Sequence, residues 1–374
     1  MKKLFVVIVA CLSLCGCTHD MNKEEIDAIN MALVLGIDYK DGDYQICALY
    51  STGGGENGKA EAGFGKEEII KGKGKTAYEA LENLKLNDKK NLTLAQTGIF
   101  LIGEEAAKES IEKSIDFLKR DETIKMEALI YIIKGEEAQD FIKNAMEDKE
   151  IIHENLEAMK QKQLKFITKN ENTLVNILND MRQEYSSLLI PYLVRKESGI
   201  RIEGYAVFDQ LRLYDYLDHE TSDGVNFIRN IVRTYPIYLK DGEDMSVTYA
   251  KTKMKAKLDE KLVTVTIRVD FETAFKEVIA GPDVFTMPEL SRLTVEQEDY
   301  IRVILQKPVD YSIKNGLDIL QLARLVENQN VSKWGDIKTS WKDRIADIRF
   351  EYRIRSKITK SFILGEGGMR ALRI

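Results

Sequence analysis

Apolar and polar residues alternate most clearly in the last third of the chain. Apolar side chains occupy every second position from Val263 to Phe271, and a similar alternation runs from Ile348 to Ile358. Because successive residues of a strand point to opposite faces, each segment predicts a strand with one buried and one solvated face. A third predicted strand, Met245 to Leu258, precedes them through a turn at Asp259 and Glu260.

A long helical segment separates these C-terminal strands. The run Thr294-Val295-Glu296-Gln297 has the pattern of a capping box, which satisfies backbone N–H groups at the start of a helix. We expect the helical region to run to about Glu327, with an interruption at Pro308 because proline lacks the backbone N–H. The C-terminal part is therefore predicted to be an antiparallel sheet with a long helical insertion.

The preceding residues alternate between strand and helix patterns. Met31 to Asp38 and Tyr44 to Ser51 form a predicted hairpin, because the Asp41-Gly42 pair between them favours a tight turn. Further strands are predicted at 97–102, 126–133, 190–193 and 202–209, and helices at 76–86, 104–118, 136–146 and within 150–185. The predicted fold class is α+β, with a mixed α/β N-terminal region followed by the C-terminal sheet.

The start of the chain has the pattern of a bacterial lipoprotein signal peptide. Lys2 and Lys3 precede an apolar run from Leu4 to Leu14, and a small residue precedes Cys17. As a helix the run would be about 16 Å long, roughly half the hydrocarbon thickness of a bilayer, and is too short to span it. We expect residues 1–16 to be removed and Cys17 to carry a diacylglycerol thioether. The alternative is an ordinary secreted protein with a cysteine at this place.

Folded structure should begin shortly after the anchor at Cys17. The run Asn22-Lys23-Glu24-Glu25 is a second capping-box pattern and predicts a short helix to about Asn30. No later segment is apolar enough to cross a bilayer. With 374 residues, two or three domains are expected. The formal net charge of −6 argues against a nucleic-acid partner, which would need a basic surface.

Cysteine usage excludes a scaffold held by disulfides. Cys11 and Cys15 leave with the signal peptide and Cys17 is acylated, so Cys47 stands alone. It lies in a strand-like run with no histidine near it in sequence. We interpret Cys47 as a buried structural thiol rather than a nucleophile.

Several motifs resemble chemical sites without completing them. Residues 53–60 approach the P-loop pattern, but Ala60 stands where Mg²⁺ needs a serine or threonine, and a poor helix start follows. We interpret this segment as a flexible loop. His153 and Glu157 share a helix face but supply only two ligands, fewer than a zinc site needs. No catalytic residue, metal site or cofactor is predicted.

The run Asp218-His219-Glu220 also suggests an acid, a base and a ligand. Consecutive helix residues point about 100° apart and cannot converge on one substrate. We interpret these residues as negative charge at a helix N-terminus, where the helix dipole stabilises it. An enzyme acting on the cell wall is therefore disfavoured.

Four groups of segments carry patterns that occur together in one family: 32–38 after Cys17, 97–107 with 115–121, 190–193 with 202–209 and 217–221, and 331–341 with Gly365. In this order along the chain they resemble the Ger(x)C family, the C subunits of spore nutrient germinant receptors. Pro308 departs from the family pattern, as does the absence of a glycine pair near 315–320.

The resemblance implies a non-enzymatic lipoprotein that acts with a multi-span permease-like subunit and a second membrane subunit to trigger germination. It implies a position on the outer face of the cytoplasmic membrane, which in the spore is the inner membrane. The expected division is 1–16 signal peptide, 17–31 anchor and tether, 32–195 N-terminal mixed α/β domain, 196–240 middle hairpin and helix, and 241–374 C-terminal domain. The alternative function is a solute-binding lipoprotein of a transporter, which predicts two similar βαβ lobes with parallel sheets.

The polar face of the last predicted strand carries Arg349, Arg353, Arg355 and Lys357. The ordinary interpretation is a solvated strand face. The other is a contact with anionic lipid or a partner, since each cation near an anionic surface gains about 1 kcal/mol.

Overall fold

The computed structural model describes residues 29–51, 67–148, 151–166, 172–197, 199–240, 242–260, 262–278 and 286–361. These residues form a nine-stranded sheet, followed along the chain by a four-stranded sheet. Within these ranges, none of the helices combines the length and the apolar character that crossing a membrane requires.

The nine-stranded sheet is mixed. Its order is β3 (Glu67–Gly74), β2 (Asp43–Ser51), β1 (Ile29–Lys40), β5 (Ile99–Gly103), β6 (Leu129–Ile133), β7 (Leu188–Lys196), β8 (Gly199–Asp209) and β9 (Arg212–Tyr216), with β4 (Asn91–Thr93) also paired to β1. The strands β1, β5, β6 and β7 run parallel to one another, whereas the pairs at both ends are antiparallel. All residues of β5 and β6 are buried, as expected where helices cover both faces of a parallel sheet.

Five helices pack on this sheet and bury a separate apolar cluster on each face. They are α1 (Ala77–Asn87), α2 (Glu104–Ile115), α3 (Ala138–Glu147), α4 (Ile152–Phe166) and α5 (Leu174–Asp180). One cluster contains side chains of α1, α2 and α5, and the other contains side chains of α3 and α4. Successive residues of β1 belong to different clusters, with Val34 on one face of the sheet and Leu35 on the other.

The predicted hairpin at the start of this sheet is confirmed. Lys40 pairs with Asp43, and both turn residues have positive φ, 54° at Asp41 and 83° at Gly42. This is the type I′ geometry that an Asp-Gly pair favours, because its twist matches that of the two strands.

The start of β1 contradicts one prediction. Ile29 and Asn30 belong to this strand, so no helix extends to Asn30. The rest of that predicted helix, from Asn22, lies outside the described residues. Asn30 instead donates from Nδ2 to both carboxylate oxygens of Asp88 at 2.9 Å.

The four-stranded sheet has the order β10 (Tyr235–Tyr238), β11 (Glu243–Asp259), β12 (Leu262–Val278) and β13 (Arg349–Ser361). The helices around it are α6 (His219–Ile228), α7 (Met287–Asn315), α8 (Leu322–Gln329), α9 (Val331–Trp334) and α10 (Trp341–Arg344). The α+β fold class is confirmed, the strands β11 and β12 are antiparallel as expected, and β10, which was not predicted, pairs antiparallel with β11. The last strand β13 pairs with β12 in parallel, because the helical segment between them acts as a crossover connection.

The predicted start of the long helix is wrong. The helix α7 begins at Met287, with Pro288 in its first turn, so Thr294 and Gln297 lie inside it. Thr294 Oγ1 donates to the carbonyl of Leu290 at 2.7 Å rather than capping an end. Gln297 is buried and its amide accepts from Thr273 Oγ1 at 2.8 Å.

Pro308 does not interrupt α7, which continues to Asn315 and ends at Gly316 with φ of 62°. The proline packs against Gly224 of α6, where a β-carbon would lie 2.6 Å from the proline Cδ. This contact with α6 stabilises the helix at the position where its hydrogen-bond ladder loses a donor. The predicted helical region breaks later, between Gly316 and Gln321, before α8 begins.

Candidate functional site

A buried carboxylate, Asp318, lies in the joint between the two sheets. Its Oδ1 and Oδ2 accept the backbone N–H groups of Leu322 and Ala323, each at 2.7 Å, at the start of α8. Oδ2 also accepts Ser186 Oγ at 3.0 Å and the indole N–H of Trp341 at 3.4 Å. Burial raises the pKa of Asp318, and these donors oppose that rise.

The serines that precede β7 make this joint continuous with the nine-stranded sheet. Ser187 donates its backbone N–H to the carbonyl oxygen of Asp318 at 2.9 Å. Next to it, Tyr185 packs edge-on against Trp334, with ring centroids 5.5 Å apart. Lys342 adds an ion pair with Asp209 of β8 at 2.7 Å. The joint therefore combines a buried hydrogen-bond network with aromatic packing and a surface ion pair.

One cleft borders this joint, and another lies elsewhere on the nine-stranded sheet. The smaller, about 400 Å³, borders the joint and is lined by Asp180, Gln183, Gln210 and Trp341 among others. The larger, about 1200 Å³, is an open groove between α1 and α2 with Tyr39, Tyr44, Tyr78 and Phe117 in its wall. Its charges are largely paired with one another, for example Lys113 with Glu109 at 2.7 Å. Neither cleft brings together a nucleophile and a base among the described residues.

The residues singled out in the sequence are dispersed. Cys17 lies outside the described residues, as do Lys59, Ala60 and the rest of the glycine-rich segment. Cys47 is buried in β2, and burial raises the pKa of its thiol far above the ordinary value. The interpretation of Cys47 as a structural thiol is confirmed.

His153 and Glu157 contact different side chains. His153 Nδ1 lies 3.2 Å from Glu67 Oε1, whereas the exposed Glu157 accepts from Gln161 Nε2 at 3.0 Å. Within the described ranges, no three His, Cys, Asp or Glu side chains are placed to hold a metal ion.

Asp218 acts as the N-cap of α6, accepting the Thr221 N–H on Oδ1 at 2.7 Å, which confirms the helix-terminus interpretation. One turn into this helix, Asp223 is buried, and burial raises its pKa to about 6. The neighbouring His219 lies 3.6 Å from the Asp223 carboxylate and opposes that rise. The two residues form a side-chain pair on one helix face rather than a converging catalytic set.

A charged surface lies on the four-stranded sheet, on the face opposite the core. We call it the cationic face. Its lysine and arginine side chains are exposed on three adjacent strands, and they are Lys251, Lys253, Lys255 and Lys257 of β11, Arg268 of β12, and Arg349, Arg353, Arg355 and Lys357 of β13.

Strand register places these cations in rows. Lys253 pairs with Arg268, and Arg268 pairs with Arg353, so one row crosses the sheet with a cation on every strand. The next row holds Lys251, Asp270 and Arg355. Sequence reasoning found the β13 members and missed the β11 lysines. The missed signal was the alternation of lysine with buried or half-buried residues from Lys251 to Leu258.

The acidic side chains on this face neutralise only some of the cations. Arg268 pairs with Asp270 at 2.8 Å, Lys257 with Asp259 at 2.6 Å, and Arg353 approaches Glu351 at 3.9 Å. Within the described part of the chain, the other six cations have no ion-pair partner; they are Lys251, Lys253, Lys255, Arg349, Arg355 and Lys357.

The fold is similar to that of the GerBC protein. A crystal structure of the GerBC protein superimposes with a TM-score of 0.57 over 87% of this chain and 97% of that chain, at 16% sequence identity. In sequence, the chain is 23% identical over 244 residues to YfkR, a candidate spore germination protein of Bacillus subtilis (strain 168). That alignment covers 62% of this chain and 62% of YfkR.

Two domain families together span most of the chain. Residues 22–195 match the spore germination protein N-terminal domain. Residues 203–361 match the C-terminal domain described as spore germination B3/GerAC like. The boundary between the two matches falls between β7 and β8 of the nine-stranded sheet, and the matches cover most of the segments whose motifs resemble germinant receptor C subunits. The chain therefore belongs to the Ger(x)C family of spore germination proteins, the C subunits of germinant receptors.

Proposed function

We propose that this protein is a lipid-anchored, non-enzymatic subunit of a spore nutrient germinant receptor. It acts with a multi-span permease-like subunit and a second membrane subunit to trigger germination. The observation that carries the proposal is the ordered match of both domain families, at 22–195 and 203–361. Among the described residues, the features that bear on function are the cationic face of the four-stranded sheet and the Asp318 network at the joint between the two sheets.

The anchor is Cys17. The cations Lys2 and Lys3, the short apolar run and the small residue before Cys17 support cleavage at this point and acylation of the new N-terminal cysteine. Two acyl chains hold a protein stably, whereas a single chain binds reversibly. The module then lies on the outer face of the cytoplasmic membrane, which in the spore is the inner membrane.

A non-enzymatic role is supported by the state of the reactive groups. The Cys47 thiol is buried and its pKa is raised, so it is not available as a nucleophile. His153 contacts Glu67 and His219 contacts Asp223, so the two histidines lie on separate helices and do not face one another.

The transporter alternative predicted two similar lobes with parallel sheets. The two sheets here differ in size and strand order, and the smaller one is mainly antiparallel, which counts against a solute-binding lipoprotein.

The proposed division of the chain is 1–16 signal peptide, 17–31 anchor and tether, 32–195 N-terminal domain, 196–240 middle region and 241–374 C-terminal domain.

The test replaces the native signal peptide with a non-lipoprotein secretion signal, so that the same mature chain is released without acyl groups. Spores carrying this form at native abundance should respond poorly to nutrients, because the chain loses its high effective concentration beside its membrane partners. The matched control is the native signal with Cys17 intact. Full nutrient response with the released form would overturn the proposed anchoring.

A further inference from the structure

The cationic face opposes the charge of the whole chain. The formal net charge of the sequence is −6, yet nine cations of the described ranges project from this one sheet face, and the acidic side chains nearest to them in the strand register are Asp259, Asp270, Glu272 and Glu351. Cations are therefore concentrated here while the rest of the surface is acidic. Such an asymmetry creates a local positive potential that attracts anions.

Repulsion between cations on neighbouring strands destabilises the four-stranded sheet of the isolated protein. Neighbouring strands lie about 4.8 Å apart, and like charges directly opposite one another destabilise a sheet. The row Lys253, Arg268 and Arg353 places three like charges in register. Arg268 is the member of this row with a close carboxylate, Asp270, at 2.8 Å. An anionic partner would remove the repulsion that these strands retain.

The shape of the face indicates an extended partner. The lysines from Lys251 to Lys257 follow one strand over about 20 Å at ~3.3 Å per residue. The two clefts described above are lined by other residues, and the cations spread over three strands of one sheet face. A broad anionic surface can meet all three strands at once.

We propose that the cationic face binds the anionic headgroups of a lipid bilayer and lays the C-terminal sheet against the membrane. Each cation that reaches such a surface strengthens binding roughly fivefold, within a Debye length of the headgroups. The cationic face is then a second membrane contact beside the acyl chain. Two contacts fix the orientation of the protein on the bilayer as well as its location. The inference deepens the proposed function by naming the surface that faces the bilayer, and its test does not depend on acylation.

The test uses the mature chain from residue 17 with Cys17→Ser, so that no acyl group contributes. Co-sedimentation is measured with vesicles of equal parts phosphatidylglycerol and phosphatidylcholine, and with vesicles of phosphatidylcholine alone. Binding is expected only to the anionic vesicles, and it should weaken as salt screens the charges.

Charge-reversal variants localise the contact. The triple variant Lys251→Glu, Lys253→Glu and Lys255→Glu should weaken binding to anionic vesicles at least about tenfold. The matched control reverses three exposed lysines elsewhere, Lys89, Lys90 and Lys314, with the same change in net charge. This control should retain most of the binding. Circular dichroism and thermal unfolding confirm that both variants are folded.

Three results would overturn the inference. One is equal binding to neutral vesicles, and another is equal loss of binding in both triple variants. The third is unchanged vesicle binding by the face variant together with loss of its association with the other receptor subunits, which would assign the face to an acidic protein. A failure of the tethering experiment in spores leaves these vesicle measurements intact, so the two proposals fail separately.

Discussion

Gly224 of α6 lies directly against Pro308 of α7, so closely that a β-carbon at position 224 would come within 2.6 Å of the proline Cδ. The carbonyl oxygen of Ile304, one turn before the proline, faces the same glycine. This is the carbonyl that Pro308 leaves without its usual helical donor. The glycine therefore allows a proline-containing helix and its neighbour to pack in contact, and weak Cα–H···O contacts are common at such interfaces.

Gly224→Ala is expected to destabilise the protein by about 1–3 kcal/mol, because the new methyl group overpacks a contact between two helices. The measurement is the free energy of unfolding in urea. Gly335→Ala is the matched control, since Gly335 has helical φ and ψ and a β-carbon added there would meet nothing within 4 Å. The control should be neutral or stabilising by about 0.4–1 kcal/mol. Equal effects of the two substitutions would contradict this account of the α6–α7 contact.

Asp318→Ala should destabilise the protein by at least about 4 kcal/mol, since each of the four donors left without an acceptor in this buried network costs ~1–3 kcal/mol. The substitution removes the acceptor for Ser186, Trp341 and two backbone N–H groups. Asp318→Asn retains one acceptor oxygen and should lose less. Urea unfolding measures the loss, and limited proteolysis between the two sheets shows whether the joint loosens.

The exposed Asp336 supplies the control for this experiment, because Asp336→Ala removes the same charge from the surface. It should change the free energy of unfolding by less than about 0.5 kcal/mol. If Asp318→Ala were as mild as Asp336→Ala, the buried network would not stabilise the joint.

The strands and the first hairpin could be predicted because their signals are local. The Asp41-Gly42 turn and the alternation from Val263 to Phe271 contain the whole pattern within a few residues. The role of Asp318 could not be predicted, since Ser186 lies 132 residues away in sequence. Alternation carries no direction, and so it did not distinguish the parallel course of β13 beside β12 from the antiparallel course that was predicted for the C-terminal strands.

The helix α7 shows a different limit. The residue types of a capping box also occur inside helices. Thr294 and Gln297 lie inside α7 and contact residues of their own helix and of β12. Proline predicts an interruption from local backbone chemistry alone, whereas Pro308 is accommodated by packing on Gly224. In both places the tertiary contact decides which local tendency is realised.

The buried carboxylate of Asp38 should make the free energy of unfolding depend on pH. Its carboxylate accepts the N–H groups of Ala138 at 2.7 Å and Gln139 at 3.0 Å at the start of α3, and burial raises its pKa to about 6 from an ordinary value of 3.8. Between these values the folded protein binds more protons than the unfolded chain. Stability contributed by this group therefore falls as pH rises from about 4 to about 6, by at most about 3 kcal/mol.

Asp38→Asn removes this titration while leaving the other groups in place. The free energy of unfolding of the native chain minus that of Asp38→Asn should increase as pH is lowered from 7 to about 4. Using the difference cancels the contribution of Asp223, whose pKa is also raised to about 6. Parallel stability curves for the two proteins would show that the Asp38 pKa is not raised in the folded state.

Cys47 provides a probe of opening in the nine-stranded sheet. Its sulfur lies over Gly36, where a β-carbon would come within 2.6 Å of Sγ, and burial raises the pKa of the thiol. In a chain that begins at residue 17 and carries Cys17→Ser it is the only cysteine, since Cys11 and Cys15 precede residue 17. A thiol reagent should therefore react in the native protein at least about a thousandfold more slowly than in urea, corresponding to an opening free energy of ~4 kcal/mol.

The control places a cysteine at an exposed position of the same domain, Leu86→Cys in a Cys47→Ala background. Leu86 is 82% exposed, and a thiol there should react in the native protein within a few-fold of its rate in urea. Because the two proteins differ in where the thiol lies and share the reagent chemistry, the ratio of their rates isolates the protection of β2. Rapid labelling of Cys47 under native conditions would mean that the pairing of β1 with β2 opens readily. Since β1 also pairs with β5, such a result would make the edge formed by β2 and β3 a locally unfolding unit of the sheet.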